Sequence, residues 1–545
     1  MSNIKTDPRV REYLNPVRIV CTYGDVRNEC MLLEDSPTQV LNSYDNRNAC
    51  KLGKGSYVVL DFGKELNGSI RIITNYIEED NTAEIHITLG ESVSEALSDL
   101  GDKNSCNDHM PRDIKLIVSR MGTVEYGESG FRFVKVQAPD DRTIVIQKVH
   151  AVYIHDSAAL KGSFECDDEL LNQIWNVGAY TVYQNMQNYL LDGIKRDRLV
   201  WIGDMHPETS VILCTYGYNE CILRSLDLTK NNTPLGEWMN RIATYSIWWI
   251  INHYELYMYS GDVGYLKGQQ SYLKQLTERA ISWADDGFEG EEDMECFVDW
   301  SSKNSPGEIE GVKSIFAIGL RCAAFLFDVL RENEFANKCR MASKEIICKS
   351  ASAEISKGVA ALNVLADRYT DKEIAILKGD SAEGMSCFMG YYVLLAKAKL
   401  GETDEAVKVI KEYWGGMLAM GATTFWEDFD TAWMKNSFGI DSMPVEGKKD
   451  IHGDFGRYCY KNFRHSLCHG WASGPTAFMS RYILGVNILE PGCKKIQINP
   501  NMCGLKSVKG DYPTPYGVIH IVHEYDSSGK LISKIDAPEE IEIIE

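Results

Sequence analysis

The sequence lacks long apolar runs and is poor in positive charge. No run approaches the roughly 18 consecutive apolar residues that a membrane-spanning helix needs. Against 78 aspartates and glutamates there are 57 lysines and arginines, which gives a net charge of -21 and a pI near 5.1. Because an acidic chain repels phosphate backbones and anionic lipids, neither nucleic acid nor a membrane surface is an expected partner. A neutral small substrate or glycan is compatible with this charge.

Cysteine pairs of the metal-binding kind are also missing. The 16 cysteines include no C-x-x-C pair and no Cys/His group with the spacing of a structural zinc site. Several of them, such as Cys322 and Cys387, lie inside apolar segments, which favours buried free thiols over disulfides. The first nine residues contain no apolar core of the signal-peptide type. We therefore expect a cytoplasmic protein.

The pattern of apolar residues divides the 545-residue chain into three predicted domains. Residues 1–160 contain short alternating or apolar runs, such as Ser56–Phe62, Ser69–Thr74, Ala83–Leu89 and Gly130–Gln137, separated by Gly, Asn and Asp turn signals. They predict an N-terminal β-sandwich-like domain. Strand patterns return in residues 486–545 and predict a small C-terminal β-domain.

Residues 161–485 show helical periodicity broken by glycine and polar segments. Asp167 or Asp168 is the predicted N-cap of the first helix. About a dozen helices in successive hairpins fit this length, which is the size of an (α/α)6 barrel. An α-solenoid is the alternative, but it would show a fixed repeat period, and the sequence shows none. Periodicity alone therefore predicts a large all-α domain and does not determine whether its helices close into a ring.

Four loop-like clusters in this region combine carboxylates, aromatics and glycines. A pyranose offers an apolar ring face for stacking and hydroxyl groups for polar side chains. Its cleavage needs one carboxylic acid to protonate the leaving oxygen and a second carboxylate to activate water or attack directly. The clusters are Asp192–Asp204, Glu295–Trp300, Gly421–Asp430 and Ser466–Pro475.

Each of these features also has a purely structural interpretation. A single tryptophan such as Trp300 or Trp426 is more often a core residue than a sugar platform. Glu427 alone fits a helix-start carboxylate, and His469 alone fits a hydrogen-bonded structural histidine. At least one member of the adjacent pair Trp248-Trp249 is expected in the core, because the pair lies in a helical run.

Taken in order, the motifs resemble those of the α-L-rhamnosidases of glycoside hydrolase family 78. The resemblance covers roughly residues 160–545 and implies an (α/α)6 catalytic barrel flanked by β-domains, with inversion of the anomeric configuration. The matching elements are Gly-x-Phe-x-Cys-x-Asp-x-Leu-Leu-Asn-x-Ile-Trp at 162–175, Asp-x-x-x-Arg-Asp-Arg-x-x-Trp-x-Gly-Asp at 192–204, Gly-Ala-Thr-Thr-x-Trp-Glu at 421–427, Ser-x-x-His-Gly at 466–470, and the Pro-Gly and Thr-Pro-x-Gly turns at 491–492 and 514–517.

The resemblance also implies roles for individual residues. It places the general base at Glu427. The positions that it assigns to substrate contact are Asp192, Arg196, Trp201, Asp204, Trp300 and His469. The clusters themselves add Asp299 and Trp426 as candidate sugar contacts, and Trp249 of the adjacent pair Trp248-Trp249 is a further candidate.

The general acid is the position at which this chain departs from the family pattern. Many members have Arg-Asp-Glu where this chain has Arg-Asp-Arg and one residue fewer. Alignment from the tryptophan side puts Asp197 at the acid position, whereas alignment from Asp192 puts Arg198 there. Because an arginine does not release its proton under physiological conditions, Asp197 is the predicted acid. Asp204 is the alternative.

The leading functional hypothesis is an inverting exo-glycosidase that releases terminal α-L-rhamnosyl residues from small glycosides or oligosaccharides. One alternative keeps the fold and changes the sugar or acts on a glycosylated natural product. Another is a carbohydrate-binding protein on a degenerate glycosidase scaffold, suggested by the missing glutamate. The mechanism requires no cofactor and no metal. The expected partner is a small glycoside, and a homo-oligomer remains open.

Overall fold

The structure is a computed structural model that describes residues 7–35, 49–288, 296–348, 354–379 and 381–545. Residues 1–6 of the chain start and Glu295 of the second predicted cluster lie outside the described residues. The chain forms two compact units. The β-rich unit comprises Met1–Ser157, Tyr183–Leu199 and Met417–His469, and the helical unit comprises Ala158–Val182, Val200–Gly416 and Gly470–Glu545.

Antiparallel strands build most of the β-rich unit. In the described residues they form one nine-stranded network in which β1 pairs with β9, β2 pairs with β5, and the main path runs β3-β4-β9-β5-β8-β6-β7. The strands are β1 (Val10–Leu14), β2 (Arg18–Tyr23), β3 (Val26–Arg27), β4 (Cys50–Leu52), β5 (Tyr57–Ile77), β6 (Thr82–Gly90), β7 (Asp113–Ser119), β8 (Thr123–Gln137) and β9 (Ile144–His155).

The long strand β5 shows how this network curves around its core. Two separate strands were expected at 56–62 and 69–74, but β5 runs through both as one strand of 21 residues. Its pairing with β8 shifts register between Asp61 and Leu66 and again between Gly68 and Ile70. Such bulges bend a strand and increase its twist. The strand can therefore enclose a core of Val, Ile, Leu and Phe side chains, including Ile72.

Two segments that the sequence placed in the helical domain fold with the strands instead. These are 183–199 and 417–469, so the compact units differ from the predicted boundaries 1–160, 161–485 and 486–545. Polar contacts explain the difference. The backbone N–H of Glu65 donates to Thr423 Oγ1 at 2.9 Å, and Arg132 donates to the carbonyl oxygen of Gly421 at 3.2 Å.

Short elements complete the β-rich unit. Helix α1 (Val93–Leu97) begins at Ser92, whose hydroxyl oxygen accepts from the backbone N–H of Glu95, as expected for an N-cap serine. Strands β11 (Ser437–Phe438) and β12 (Lys449–Asp450) form a parallel pair. The rest of 420–469 is irregular or forms 3₁₀ turns.

The helical unit is a succession of helices in which every second one is largely buried. The helices that begin in this unit are α2 (Glu169–Asn185), α3 (Met205–Thr215), α4 (Glu220–Asn232), α5 (Ala243–Ser260), α6 (Val263–Asp285), α7 (Glu308–Val329), α8 (Asn333–Cys348), α9 (Lys357–Leu365), α10 (Asp371–Leu377), α11 (Cys387–Lys399), α12 (Thr403–Ala419) and α13 (Gly474–Phe478).

Contacts between alternate helices close a ring. Helix α3 packs on α5, α5 on α7, α7 on α9, α9 on α11, α11 on α13, and α13 returns to α3. Apolar side chains cover nearly the whole circumference of α5, α9 and α11, as in helices packed on all sides, whereas α4, α6 and α8 bury one stripe. Six inner and six outer helices in alternation are the predicted (α/α)6 barrel.

Small sheets at the C-terminal end also belong to the helical unit. Strands β13 (Val486–Glu490), β14 (Lys495–Ile498) and β18 (Glu542–Ile544) form one sheet. A second sheet has the order β10-β15-β16-β17, from β10 (Ser163–Cys166), β15 (Ser507–Thr514), β16 (Gly517–Tyr525) and β17 (Leu531–Asp536). The C-terminal β-structure therefore includes a strand that precedes the helices, which the sequence had not indicated.

The start of the helical ring agrees with its predicted cap. Asp167 or Asp168 was expected to cap α2, and Asp168 Oδ1 accepts from the backbone N–H groups of Leu170 and Leu171 at 3.1 and 3.4 Å.

Among the described residues, no helix combines the length and apolar character that a bilayer span requires.

Two helical glycines test the packing of the ring. A Cβ atom on Gly319 would lie 2.2 Å from Ile247 Cγ2, on the contact between α5 and α7, while a Cβ on Gly268 would meet nothing within 4 Å. We expect Gly319→Ala to lower the free energy of unfolding by about 1–3 kcal/mol, because the stiff isoleucine cannot yield. Gly268→Ala is the matched control and should raise it by about 0.5–1 kcal/mol. Urea unfolding measures both, and equal stability of the two variants would contradict the described packing.

Candidate active site

The predicted site residues divide between the two units. The β-rich unit carries Asp192, Arg196, Asp197, Trp426, Glu427 and His469, and the helical unit carries Trp201, Asp204, Trp249, Asp299 and Trp300.

The segment 192–199 is a closed loop. The backbone N–H of Asp192 donates to the carbonyl oxygen of Leu199 at 3.0 Å, and the N–H of Leu199 donates back to Asp192 Oδ1 at 2.9 Å. At the tip, Asp197 and Arg198 have φ angles of 56° and 55°, a left-handed conformation that is uncommon outside glycine. Such strain persists only where the surroundings enforce it. Here the two hydrogen bonds between Asp192 and Leu199 and the side-chain contacts of Asp197 and Arg198 maintain this conformation.

Glu427 meets this loop through a single guanidinium. Arg196 Nη2 forms an ion pair with Glu427 Oε1, and Arg196 Nη1 donates to Asp197 Oδ1 at 2.8 Å. The guanidinium also lies over the ring of Tyr460, 5.2 Å from its centroid. The segment 466–469 fixes the glutamate, since Ser466 N–H donates to Glu427 Oε2 at 3.1 Å. Arg196 therefore holds both predicted catalytic carboxylates next to each other.

Burial changes the acidity of Glu427. Only 3% of the residue is exposed, and this desolvation raises the pKa of Glu427 to about 7. The Arg196 charge and the hydrogen bonds from Arg196 and Ser466 oppose the rise, because they favour the ionised carboxylate. A carboxylate whose pKa lies near neutrality is suited to proton transfer at that pH.

His469 lies between two carboxylates. Its Nε2 atom is 3.5 Å from Glu427 Oε1 and 3.7 Å from Asp192 Oδ2. Burial, together with the nearby Arg196 charge, holds the pKa of His469 well below its ordinary value, so the ring is neutral at physiological pH. Its backbone N–H donates to the carbonyl oxygen of Phe425 at 2.9 Å. A neutral imidazole here can donate or accept a hydrogen bond without adding charge.

Arg198, the other position to which the acid could align, has a structural role. Its Nη1 atom donates to Asn67 Oδ1 at 2.9 Å and to the carbonyl oxygen of Ile194 at 2.6 Å. Its Nη2 atom pairs with Glu128 Oε1 at 3.0 Å. This side chain therefore ties the loop to the strands, which supports Asp197 as the acid candidate.

A buried ion-pair network lies on the other side of the loop. Lys195 Nζ lies 2.7 Å from Glu95 Oε1 and 3.2 Å from Glu91 Oε2, and it donates to the carbonyl oxygens of Phe463 and His465 at 2.6 and 2.9 Å. Lys195 therefore braces the loop 192–199 against the segment that fixes Glu427. The pKa values of these two carboxylates shift in opposite directions. Burial raises the pKa of Glu91, while Lys195 and Arg112 help to lower the pKa of Glu95 to about 2.

Glu91, Glu95 and His452 are close enough together to be considered as metal ligands. Both nitrogens of His452 are engaged, Nδ1 with Ser92 Oγ at 2.8 Å and Nε2 with the carbonyl oxygen of His465 at 3.0 Å. Lys195 already supplies the positive charge that the two carboxylates require. The residues thus fit an internal ion-pair network and do not fit a cation site.

The helical unit assembles an aromatic group around a residue that the sequence did not single out, Tyr245. Its hydroxyl donates to Asp204 Oδ1 at 3.0 Å, and its ring contacts those of Trp201 and Phe297 at centroid distances of 6.1 and 6.2 Å. Phe297 in turn contacts Trp300 edge-on at 5.2 Å. Tyr245 thereby joins two predicted clusters that lie about a hundred residues apart in sequence.

Close packing around Tyr245 explains a glycine of the motif. A Cβ on Gly203 would lie 2.4 Å from the Tyr245 ring. Sequence could have indicated this tyrosine, because it precedes Trp248 and Trp249 by one helical turn and lies in the first turn of α5. No comparable signal indicated Tyr460, whose segment has no helical or strand periodicity.

Asp299 is held by hydroxyl groups. Its Oδ2 atom accepts from the hydroxyl of Ser301 and from Ser386 Oγ, the latter at 2.9 Å. Trp300 is partly exposed, and Lys303 lies 5.4 Å from the centroid of its ring. Within this unit, Asp299 and Trp300 therefore present a fixed carboxylate and an accessible ring in consecutive positions.

Two predicted sugar contacts are packing residues in the structure. Trp249 is fully buried within α5, with its indole N–H donated to the carbonyl oxygen of Leu226 at 3.0 Å and its ring against His253. Trp426 is 1% exposed and lies edge-on to Phe429. Neither ring offers a face to a ligand, so both expectations are corrected. The structural interpretation of a tryptophan applies at these two positions.

Comparisons with known proteins bear on this arrangement. Residues 159–332 match the family model of the bacterial alpha-L-rhamnosidase 6 hairpin glycosidase domain, and residues 485–543 match that of the bacterial alpha-L-rhamnosidase C-terminal domain. Two parts of the chain are therefore similar to domains of the bacterial α-L-rhamnosidases. The resemblance drawn from the motifs is thereby confirmed, and the six-hairpin name agrees with the helical ring.

Individual relatives are distant. An α-L-rhamnosidase of Formosa agariphila is 22% identical over 91% of this chain and 56% of its own length. The family 78 rhamnosidase structure of Bacillus sp. GL1 superposes with a TM-score of 0.76 at 20% identity, covering 95% of this chain and 55% of that one. A rhamnosidase from Klebsiella oxytoca with rhamnose bound has a TM-score of 0.69 at 20% identity, covering 87% of this chain and 96% of that one. The chain thus spans little more than half of the first two relatives, and these likenesses establish the fold.

The acidity of Glu427 can be measured directly. With glutamate side chains labelled with ¹³C, the carboxyl resonance that disappears in Glu427→Gln should titrate near pH 7. In Arg196→Gln the pKa of Glu427 should rise further, because the variant removes a positive charge and a hydrogen-bond donor. A titration midpoint near the ordinary glutamate value, or a fall in the pKa of Glu427 in Arg196→Gln, would contradict the described environment.

Proposed function

We propose that this protein is a glycoside hydrolase that releases terminal α-L-rhamnosyl residues by inversion. The observation that carries the proposal is the bridge formed by Arg196, which holds Glu427 and Asp197 at one point of the β-rich unit. Paired carboxylates are the minimal equipment for hydrolysis of a glycosidic bond. Inversion is the part of the proposal that comes from the resemblance to family 78. The relationship of the barrel to the rhamnosidases supports the identity of the sugar.

The proposed reaction is a single displacement. Glu427 takes a proton from a water molecule, and the water oxygen forms a bond to the anomeric carbon. The bond from that carbon to the leaving oxygen breaks, and Asp197 gives its proton to this oxygen. One water is consumed, and rhamnose and a free hydroxyl compound are released. Both side chains recover their starting protonation states by exchange with solvent.

We assign the remaining predicted contacts to sugar binding. Asp192, Arg196 and His469 offer charged and neutral polar groups beside the two carboxylates. In the helical unit, the proposed contacts are Trp201, Asp204, Asp299 and Trp300. An exposed aromatic edge next to fixed carboxylates suits a deoxy-sugar, which has one apolar face and several hydroxyl groups.

We further propose that the substrate is a short glycoside or oligosaccharide. The Klebsiella relative was solved with rhamnose bound, which supports a small sugar as ligand. A cytoplasmic location is part of the same proposal and would restrict the substrate to imported glycosides. It is supported by the cysteines, all 16 of which lie in the described ranges as free thiols.

The assay that tests the proposal is hydrolysis of 4-nitrophenyl α-L-rhamnoside. We expect Glu427→Gln to lower kcat by about 10²–10⁴-fold, the usual contribution of a general base, because the amide cannot accept the proton. Glu332→Gln is the matched control, since it removes the carboxylate of an ion pair with Lys274 outside the predicted site. Full activity of Glu427→Gln, or turnover of other aryl glycosides in place of the rhamnoside, would contradict the proposal.

A second candidate function is carbohydrate binding without turnover. The acid loop favours it, because the chain carries Arg196-Asp197-Arg198 and one residue fewer at the position where the resemblance places a glutamate. Calorimetric binding of rhamnose, combined with no hydrolysis of any aryl glycoside in the panel, would identify this function.

A further inference from the structure

A loop between α1 and β7 brings a histidine to the candidate acid. His109 Nε2 lies 3.6 Å from Asp197 Oδ1, and both side chains are partly exposed, at 32% and 21%. The two residues belong to the same β-rich unit. No motif of the sequence pointed to His109, since it lies in a polar segment far from the four clusters.

This loop is attached to residues 454–464, which precede the segment 466–469 that fixes Glu427. Lys103 Nζ pairs with Asp454 Oδ1 at 2.8 Å, and Asn104 Nδ2 donates to Asn462 Oδ1 at 2.8 Å. A further ion pair joins Arg464 to Asp108, the residue immediately before the histidine. Although an exposed ion pair contributes little by itself, three cross-links over six residues define where the loop lies.

The backbone of the loop supports a fixed position for His109. Its φ angle is 65°, in the left-handed region that residues other than glycine seldom adopt. The loop closes at Asn107, whose Oδ1 atom accepts from the backbone N–H groups of Arg112 and Asp113 at 2.8 and 3.0 Å. Strained residues of this kind cluster at functional sites, where the surroundings maintain them.

We propose that His109 is a positioning residue for the general acid Asp197. The inference rests on the proposed function, because it concerns the acid of that reaction. His109 Nε2 and Arg196 Nη1 both face Asp197 Oδ1. A carboxylic acid whose Oδ1 accepts from two N–H groups carries its proton on Oδ2. The histidine thereby selects the oxygen that delivers the proton and the direction in which it points.

The chemistry of the loop gives this residue its importance. Aspartate has a short side chain, so the position of its proton depends closely on how the carboxyl group is oriented. A separation of 3.6 Å is longer than a hydrogen bond. Contacts of catalytic groups are often long without substrate and shorten in the complex. With its proton on Nε2, the ring donates to Asp197 both before and after proton transfer.

The test compares two leaving groups in His109→Ala. A nitrophenolate departs without much help from an acid, whereas an alkoxide needs its proton. We expect kcat on methyl α-L-rhamnoside to fall by about tenfold or more and that on 4-nitrophenyl α-L-rhamnoside by less than about threefold, since acid assistance is worth more for the poorer leaving group. His109→Gln, which can place an amide N–H near the Nε2 position, should recover part of the loss.

His86→Ala is the matched control, because His86 also contacts an aspartate, Asp113 Oδ1 at 2.7 Å, at similar exposure in the same unit. His86→Ala should leave the ratio of the kcat values on the two substrates unchanged. If His109→Ala lowers kcat equally on both substrates, or lowers it on neither, the inference is overturned. If the wild-type protein hydrolyses neither rhamnoside, the proposed function itself fails, and the inference with it.

Discussion

The buried guanidinium of Arg196 is the interaction on which the candidate site depends. It is only 7% exposed and is shared between Glu427 and Asp197. Removing one member of a buried ion pair typically costs about 3–5 kcal/mol, because the remaining charge is left without a partner. The loop 192–199 and the segment 417–469 are therefore held together by charge, although 231 positions separate the arginine from the glutamate. Lys195 repeats the arrangement one residue earlier in the chain, with Glu91 and Glu95 as partners.

The two units contribute different chemistry. The β-rich unit carries the candidate carboxylates, the buried arginine and the neutral histidine, which lie in contact with one another. Within the helical unit, a ring of inner helices presents the aromatic group around Tyr245. The two candidate carboxylates, Asp197 and Glu427, lie in segments of the β-rich unit that have no helical periodicity. A fold built from local helices can thus carry a site whose key contacts are long-range.

Local signals in the sequence predicted much of the fold. Apolar periodicity predicts the succession of helices, and turn residues between short apolar runs predict the C-terminal strands. The position of Asp168 before the first helix predicts its capping role. The closure of α13 onto α3 is not predicted in this way, because no local pattern records which helices meet. For the same reason the joining of 183–199 and 417–469 to the strands was missed. Trp249 shows the limit for single residues, since composition cannot distinguish a buried indole from a sugar platform.

We propose that Glu427 activates water in a single displacement. The most direct measurement is the configuration of the first rhamnose released, followed by proton NMR during the opening minutes of hydrolysis of an α-L-rhamnoside. Our account predicts that the β-anomer appears first and that the α-anomer grows in later by mutarotation, because water attacks from the face opposite the leaving group. Initial appearance of the α-anomer would mean a covalent intermediate and would contradict the role assigned to Glu427.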